Sequence, residues 1–155
     1  MPSTYDTTIT AEASLVGYWP MNDASGTTMA ADSKGANGAY TASGVTLGAT
    51  GIGDGETAAS FDGSSGAASV AIDLSAYTQI SLEFWLKWSA FANNDALAAE
   101  YTANWNNNVG AFIIDPNSSA TAAFDFNAHG SSNSAHNNFP RPSAGAWHYY
   151  VLEFD

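Results

Sequence analysis

Residues 78–88, TQISLEFWLKW, alternate without a break: Ile80, Leu82, Phe84, Leu86 and Trp88 fall on one side and Ser81, Glu83, Trp85 and Lys87 on the other. Side chains separate in this way on an extended backbone, where neighbours point to opposite faces. The segment is therefore a strand with one face toward a core. Ile80, Leu82, Phe84 and Leu86 are expected to be buried, with Phe61 in the same core. Trp85 stands on the polar side. It either packs under a loop or a second layer, or it is an exposed stacking platform.

Around this strand the chain reads as short extended pieces divided by turn clusters. Residues 1–13 are polar, Thr-rich and without apolar periodicity, and are expected to be an N-terminal arm. Leu15–Met21 (LVGYWPM) reads as a strand followed by the turn NDASGTT. Further extended pieces fall at 38–41, 45–47, 58–61 and 68–72, the last two flanking DGSSG as a hairpin or a tight glycine-rich loop. Residues 96–102 fit a short helix or a strand, and 109–115 and 122–127 fit short strands. Residues 128–146 read as a long loop, and Trp147–Asp155 (WHYYVLEFD) as a strand. No segment sustains a helical period. Many short strands with turn signals about 8–12 residues apart predict an all-β antiparallel sandwich, and 155 residues suffice for one domain, here 14–155.

Charge narrows the partners. Acidic residues number 15 and basic ones 3 (Lys34, Lys87, Arg141), for a net charge of −12. Nucleic acid needs a basic footprint, and anionic membrane surfaces are disfavoured for the same reason; neutral polymers such as polysaccharides stay open. The chain has no cysteine, which removes disulfide frameworks, thiolate zinc sites and cysteine nucleophiles. No apolar run approaches the length of a membrane span. MPSTYDTTITAEAS has neither a basic nor an apolar leader region, so no secretory signal is read there.

Four segments occur in a familiar order: LVGYWPMNDASGTTMAADSKGANGAY (15–40), GETAASFDGSSGAASV (55–70), ISLEFWLKW (80–88) and WHYYVLEFD (147–155). Together they resemble the laminin G-like, concanavalin A-like lectin/glucanase domains. The opening segment also looks like minor tail and fibre proteins of bacteriophages that carry this domain. The resemblance implies a two-sheet jelly-roll sandwich in which Trp19 or Tyr18, Phe61 and the glycines serve the fold. Such domains continue past the W-H strand, so the resemblance also implies a closing strand, supplied by a longer polypeptide or by a neighbouring chain. The alternative is that residues 16–21 pair with the terminal strand in a smaller sandwich. One Ca²⁺ at a sheet rim is implied as well, with Asn22, Asp23, Asp32 and Asp62 in the matching loops.

No catalytic set emerges. Glu153 and Asp155 fit half of an E-x-D-x-x-E hydrolase strand, but retaining hydrolysis needs a second carboxyl about 5–5.5 Å away. His129, His136 and His148 lack metal-ligand spacing, and His148 is expected to make a structural hydrogen bond. The stretch EYTANWNNN offers Tyr101, Asn104, Trp105 and Asn106, and the long loop adds His129, His136 and Arg141. An aromatic plane with amides and a cation nearby is the chemistry that recognises a sugar ring and its hydroxyls, so these residues are the candidate glycan patch. The expected function is a non-catalytic virion structural protein: a phage tail, fibre or capsid-decoration component that contacts other virion proteins or copies of itself and binds host-surface glycan. Virion proteins are made in the host cytoplasm and released by lysis, which suits the absent signal. The alternative is a bacterial cell-surface carbohydrate-binding adhesin module, extracellular in location; a glycoside hydrolase comes third.

Overall fold

The computed structural model describes residues 3–25, 28–31, 39–88, 99–101, 108–116, 118, 123–129 and 134–154. The described residues are mostly β, with antiparallel sheets and one short helix among them. The chain divides into two compact units, Met1–Leu74 and Ser75–Asp155.

In the first unit, α1 (Thr4–Thr10) lies inside the segment expected as an arm. Threonine is a poor helix former, but local hydrogen bonds compensate. Ser3 and Asp6 form a reciprocal capping box. The hydroxyls of Thr7, Thr8 and Thr10 donate to the carbonyls of Ser3, Thr4 and Asp6, four residues back in each case. The Tyr18 hydroxyl donates to the Asp6 carboxylate. Burial, and then that bond, push the Tyr18 phenol well above its ordinary range.

Residues 15–21 were expected to form a strand, and no strand is assigned there. Pro20 lacks a ladder donor, and Met21 turns the backbone at φ 56°. The apolar content still serves packing: Trp19 and Met21 lie against Leu47 with Val45, Ala59, Ala68 and Val70. Two small sheets hold this unit. β1 (Thr28–Ala31), β2 (Ala39–Ser43) and β5 (Ala67–Ser69) form one in the order β1-β2-β5, and β3 (Val45–Thr50) pairs with β4 (Thr57–Phe61) in the other. DGSSG is therefore the tight loop of the two readings and not a hairpin, because its flanking strands belong to different sheets. Gly44, at φ 61°, meets this loop so closely that a Cβ there would stand 2.8 Å from the Gly66 nitrogen. Phe61 is 42% exposed and is not a core residue. It sits at the end of its strand, where alternation no longer directs it inward.

In the second unit, β6 (Ile80–Lys87) pairs antiparallel with β11 (Trp147–Phe154) over eight residue pairs, from Lys87 opposite Trp147 to Ile80 opposite Phe154. A four-stranded sheet runs β10-β9-β8-β7, made of β7 (Ala99–Tyr101), β8 (Phe112–Asp115), β9 (Phe124–His129) and β10 (Ser134–Phe139). β10 lies within the segment read as a long loop. Four of its six residues are polar, but an outer strand is held by backbone pairing, and all six pair with β9.

The core of this unit is Phe112, Ile114, Phe124 and Phe126. Ile80, Leu82 and Phe84 from β6, and Tyr150, Leu152 and Phe154 from β11, pack against it half-buried. The rings interlock. Phe124 stacks on Tyr150 at 5.0 Å, Tyr150 on Phe84 at 5.2 Å, and Phe154 meets Phe112 at 4.6 Å and Phe126 at 4.8 Å. Burial and the tilted and offset geometries both favour such pairs.

Ile114 is fully buried, whereas Val151 is 48% exposed on the far side of β11. Ile114→Ala should cost about 2–5 kcal/mol in denaturant unfolding, and Val151→Ala should stay within about 0.5 kcal/mol of the wild type. Equal costs at the two positions would contradict this packing.

Candidate functional site

The same alternation that fills the core builds an outward face on β6 and β11. Ser81, Glu83, Trp85 and Lys87 stand opposite Glu153, Val151, Tyr149 and Trp147. Trp85 is 38% and Tyr149 42% exposed, with ring centroids 5.1 Å apart and planes tilted by 37°. Trp85 is thus exposed, as the second of its two readings requires. The Tyr149 hydroxyl donates to Glu83, and the Lys87 ammonium lies 6.0 Å from the centre of the Trp147 ring. This face thus offers an exposed double-ring surface with a carboxylate on one flank and an ammonium on the other.

An open cleft of about 340 Å³ runs along β11, lined by Tyr149 and Val151, by the core-side Tyr150 and Leu152 with Phe124, and by Phe139, Pro140 and Pro142. His148 lies in it. Its Nε2 is 3.1 Å from the Ser143 carbonyl and 3.3 Å from the Ser143 hydroxyl. Donation to the carbonyl fixes a proton on Nε2 and ties the 140–146 connection to β11, the structural role expected of this histidine.

The residues expected to bind glycan are dispersed where they are described. Tyr101 on β7 stacks on Phe112 at 5.9 Å and lines the core. His129 ends β9 on the opposite face of that sheet, since Ala128 is its core-side neighbour. Arg141 donates to the Ser118 carbonyl at 3.2 Å, beyond the other end of β8. His136 lies on β10 opposite Asn127, with its side chain outside the described residues. Asn104, Trp105 and Asn106 lie outside them altogether.

The residues expected to hold Ca²⁺ separate in a similar way. Asn22 donates to the Glu56 carboxylate at 3.1 Å, and the Thr57 hydroxyl donates to the carbonyl of Asn22 at 2.6 Å, with the Asp23 carbonyl at 3.4 Å. Asp62 follows the other end of β4, about 16 Å along the chain from Thr57. Ligands of one ion must each lie about 2.5 Å from it, so Asp62 does not join Asn22 and Asp23. Its Oδ1 accepts the backbone N–H groups of Ser64, Ser65 and Gly66, and its Oδ2 accepts the Ser65 hydroxyl. The backbone donors, Ser64 first, hold the Asp62 carboxyl well below the usual carboxylate range. Asp32 lies outside the described residues, as does Asp155 of the half hydrolase motif. Among the described residues no three His, Cys, Asp or Glu side chains gather closely enough to hold a metal.

Three residues that the sequence reading passed over stand out. Asp115 and Asp125 are directly opposite each other on β8 and β9, 5% and 3% exposed, and Asn127 is 2% exposed. FDFNAH at 124–129 carries the signal: Phe124, Phe126 and Ala128 alternate with Asp125, Asn127 and His129, so β9 turns polar side chains away from the core, beside the buried Ile113 of β8.

The chain matches no family model, no curated protein and no solved structure.

A depressed folded-state pKa makes the Asp62 contribution fully present above the ordinary carboxylate value of about 3.9, and it is lost as pH falls below that toward the folded value. A carboxyl NMR titration should find Asp62 ionised at pH values where ordinary aspartates are half protonated. Exchange at the Ser64, Ser65 and Gly66 amides should accelerate only under more acidic conditions. A midpoint in the ordinary range would contradict these hydrogen bonds.

Proposed function

We propose that this chain is a non-catalytic glycan-binding module of the concanavalin A-like jelly-roll type. We assign it to a phage virion component of the tail, fibre or capsid surface. The observation that carries the binding role is the exposed Trp85–Tyr149 pair on the outer face of β6 and β11. Aromatic rings that remain half exposed present apolar area to water, and the C–H face of a pyranose covers such area well. Glu83 and Lys87 beside them offer an acceptor and donors to ring hydroxyls. The net charge of −12 turns polyanions away and favours a neutral polysaccharide.

The virion assignment and the jelly-roll topology rest on the four ordered segments and on the likeness of residues 15–40 to phage tail and fibre proteins. The antiparallel sheets agree with that topology at a coarser level. Glycan capture on a particle surface suits a weak, repeated contact, because many copies together hold what one copy binds loosely.

Neutral bacterial polysaccharides on a glycan array should bind the wild-type protein. Trp85→Ala should weaken that binding at least about tenfold, with unfolding stability lowered by about 1 kcal/mol from the lost ring pair. Absence of binding by the wild type, or unchanged binding by Trp85→Ala, would refute the assignment of this face. The virion reading is checked by mass spectrometry of purified particles from a phage that encodes the chain.

A further inference from the structure

Among the described residues the β6–β11 ladder has two strands only. In an antiparallel ladder every second residue turns its N–H and C=O toward the partner strand. The other residues of β6 direct theirs to the side away from β11, and among the described residues no backbone hydrogen bond reaches that side. Native edge strands are commonly blunted by a proline, a bulge or an inward-pointing charge. Residues 80–87 have none of these. Their register with β11 is continuous, and Ile80, Leu82, Phe84 and Leu86 form the half-buried inward set. Glu83, Trp85 and Lys87 stand exposed on the outward face. Lys87 is one of three basic residues in a chain of net charge −12, and no carboxylate pairs with it among the described residues. Glu83 lies about 13 Å away along the same strand, too far to serve.

We propose that the free edge of β6 pairs antiparallel with β6 of a second copy of this chain, about a two-fold axis at Trp85. The order of charges selects both the occupant and the register. Glu83 and Lys87 flank Trp85 at equal spacing with opposite signs, so a copy reversed about Trp85 sets Glu83 opposite Lys87 twice. Directly opposite charges of unlike sign attract. Glu83 accepts from Tyr149 through Oε2 and has its other oxygen to offer the ammonium. Trp85 then faces its own counterpart, and on the inward face Phe84 meets Leu86, so apolar lies beside apolar. A shift of two residues sets Glu83 opposite Trp85 and parts the charges. An odd shift puts the two faces out of phase. The other strand of the ladder carries no lysine or arginine, so its edge lacks this self-complementarity. The joined sheet would run β11-β6-β6-β11. Its outer face would carry a row of four rings, Tyr149 and Trp85 from each copy, so the second copy extends the aromatic surface. The pairing does not depend on that surface binding glycan.

The test is sedimentation velocity on the full chain at physiological ionic strength, where the like net charges of two copies are largely screened. The wild type should pass from monomer to dimer between about 1 and 500 μM. Lys87→Glu and Glu83→Lys should each raise the dissociation constant at least about tenfold, since each sets like charges opposite each other twice. Glu83→Lys also makes the chain less acidic, so general charge repulsion alone would predict tighter association for it. An equimolar mixture of the two variants should dimerise, because every facing pair is then of opposite sign. Melting temperatures near the wild-type value show that both variants fold. A wild type that stays monomeric across this range, a Glu83→Lys variant that dimerises as well as the wild type, or a mixture that stays monomeric would each overturn the pairing. None of these readings involves a sugar, so their failure is separate from failure of glycan binding.

Discussion

The ring column Phe84–Tyr150–Phe124 is the contact on which the second unit depends. Each ring comes from a different strand, two from the β6–β11 ladder and one from β9. Phe154 is wedged between Phe112 and Phe126 in the same way. These contacts fix which face of each strand looks inward. Because the strand period is two, that choice also fixes every residue that looks outward. The exposed Trp85–Tyr149 pair and the buried Asp115–Asp125 pair are thus consequences of one register. A slip of one residue in β6 would bury Glu83 and expose Phe84.

The two units are built differently. The second has a dense aromatic core. In the first, Leu47 is the only buried hydrophobic residue among those described, and polar contacts do much of the local ordering: the Ser3–Asp6 box, the Tyr18–Asp6 bond, the Asn22–Glu56–Thr57 contacts and the saturated Asp62 loop. This follows from a composition rich in Ala, Ser, Thr and Gly in that half of the chain. Small side chains bury little area, so short-range hydrogen bonding carries more of the local order.

Much of the fold was legible where burial alone decides. Residues 80–87 alternate in the structure as they do in the sequence, because one face meets a core. The terminal strand was legible for the same reason. The misses share a cause of another kind. β10 has the composition of a loop and is held by backbone pairing, α1 has poor propensity and is held by caps and threonine hydroxyls, and residues 15–21 have strand composition but a proline and a left-handed residue that interrupt pairing. The candidate site was legible only in part. Trp85 was marked by its place on the polar side of a strand. Tyr149 needed the register with β11, and the pairing of Asp115 with Asp125 needed the β8–β9 ladder, neither of which a one-dimensional pattern contains. The patch proposed around Tyr101 assumed that an aromatic among asparagines faces solvent, whereas Tyr101 itself stacks on Phe112.

The β6–β11 ladder has a kinetic consequence. It joins residues at least sixty positions apart, Lys87 with Trp147 being the nearest pair in sequence. By contrast, β9 and β10 are joined by four residues. Closing the longer segment costs chain entropy before any ring contact rewards it. The polypeptide will therefore form the β9–β10 hairpin early and zip β6 to β11 late. Until it does, the apolar sides of Phe84, Leu82, Tyr150 and Phe154 are uncovered, and two strands of high β-propensity are available to other copies of the chain. The interval before that ladder closes is when this protein is most exposed to misassembly.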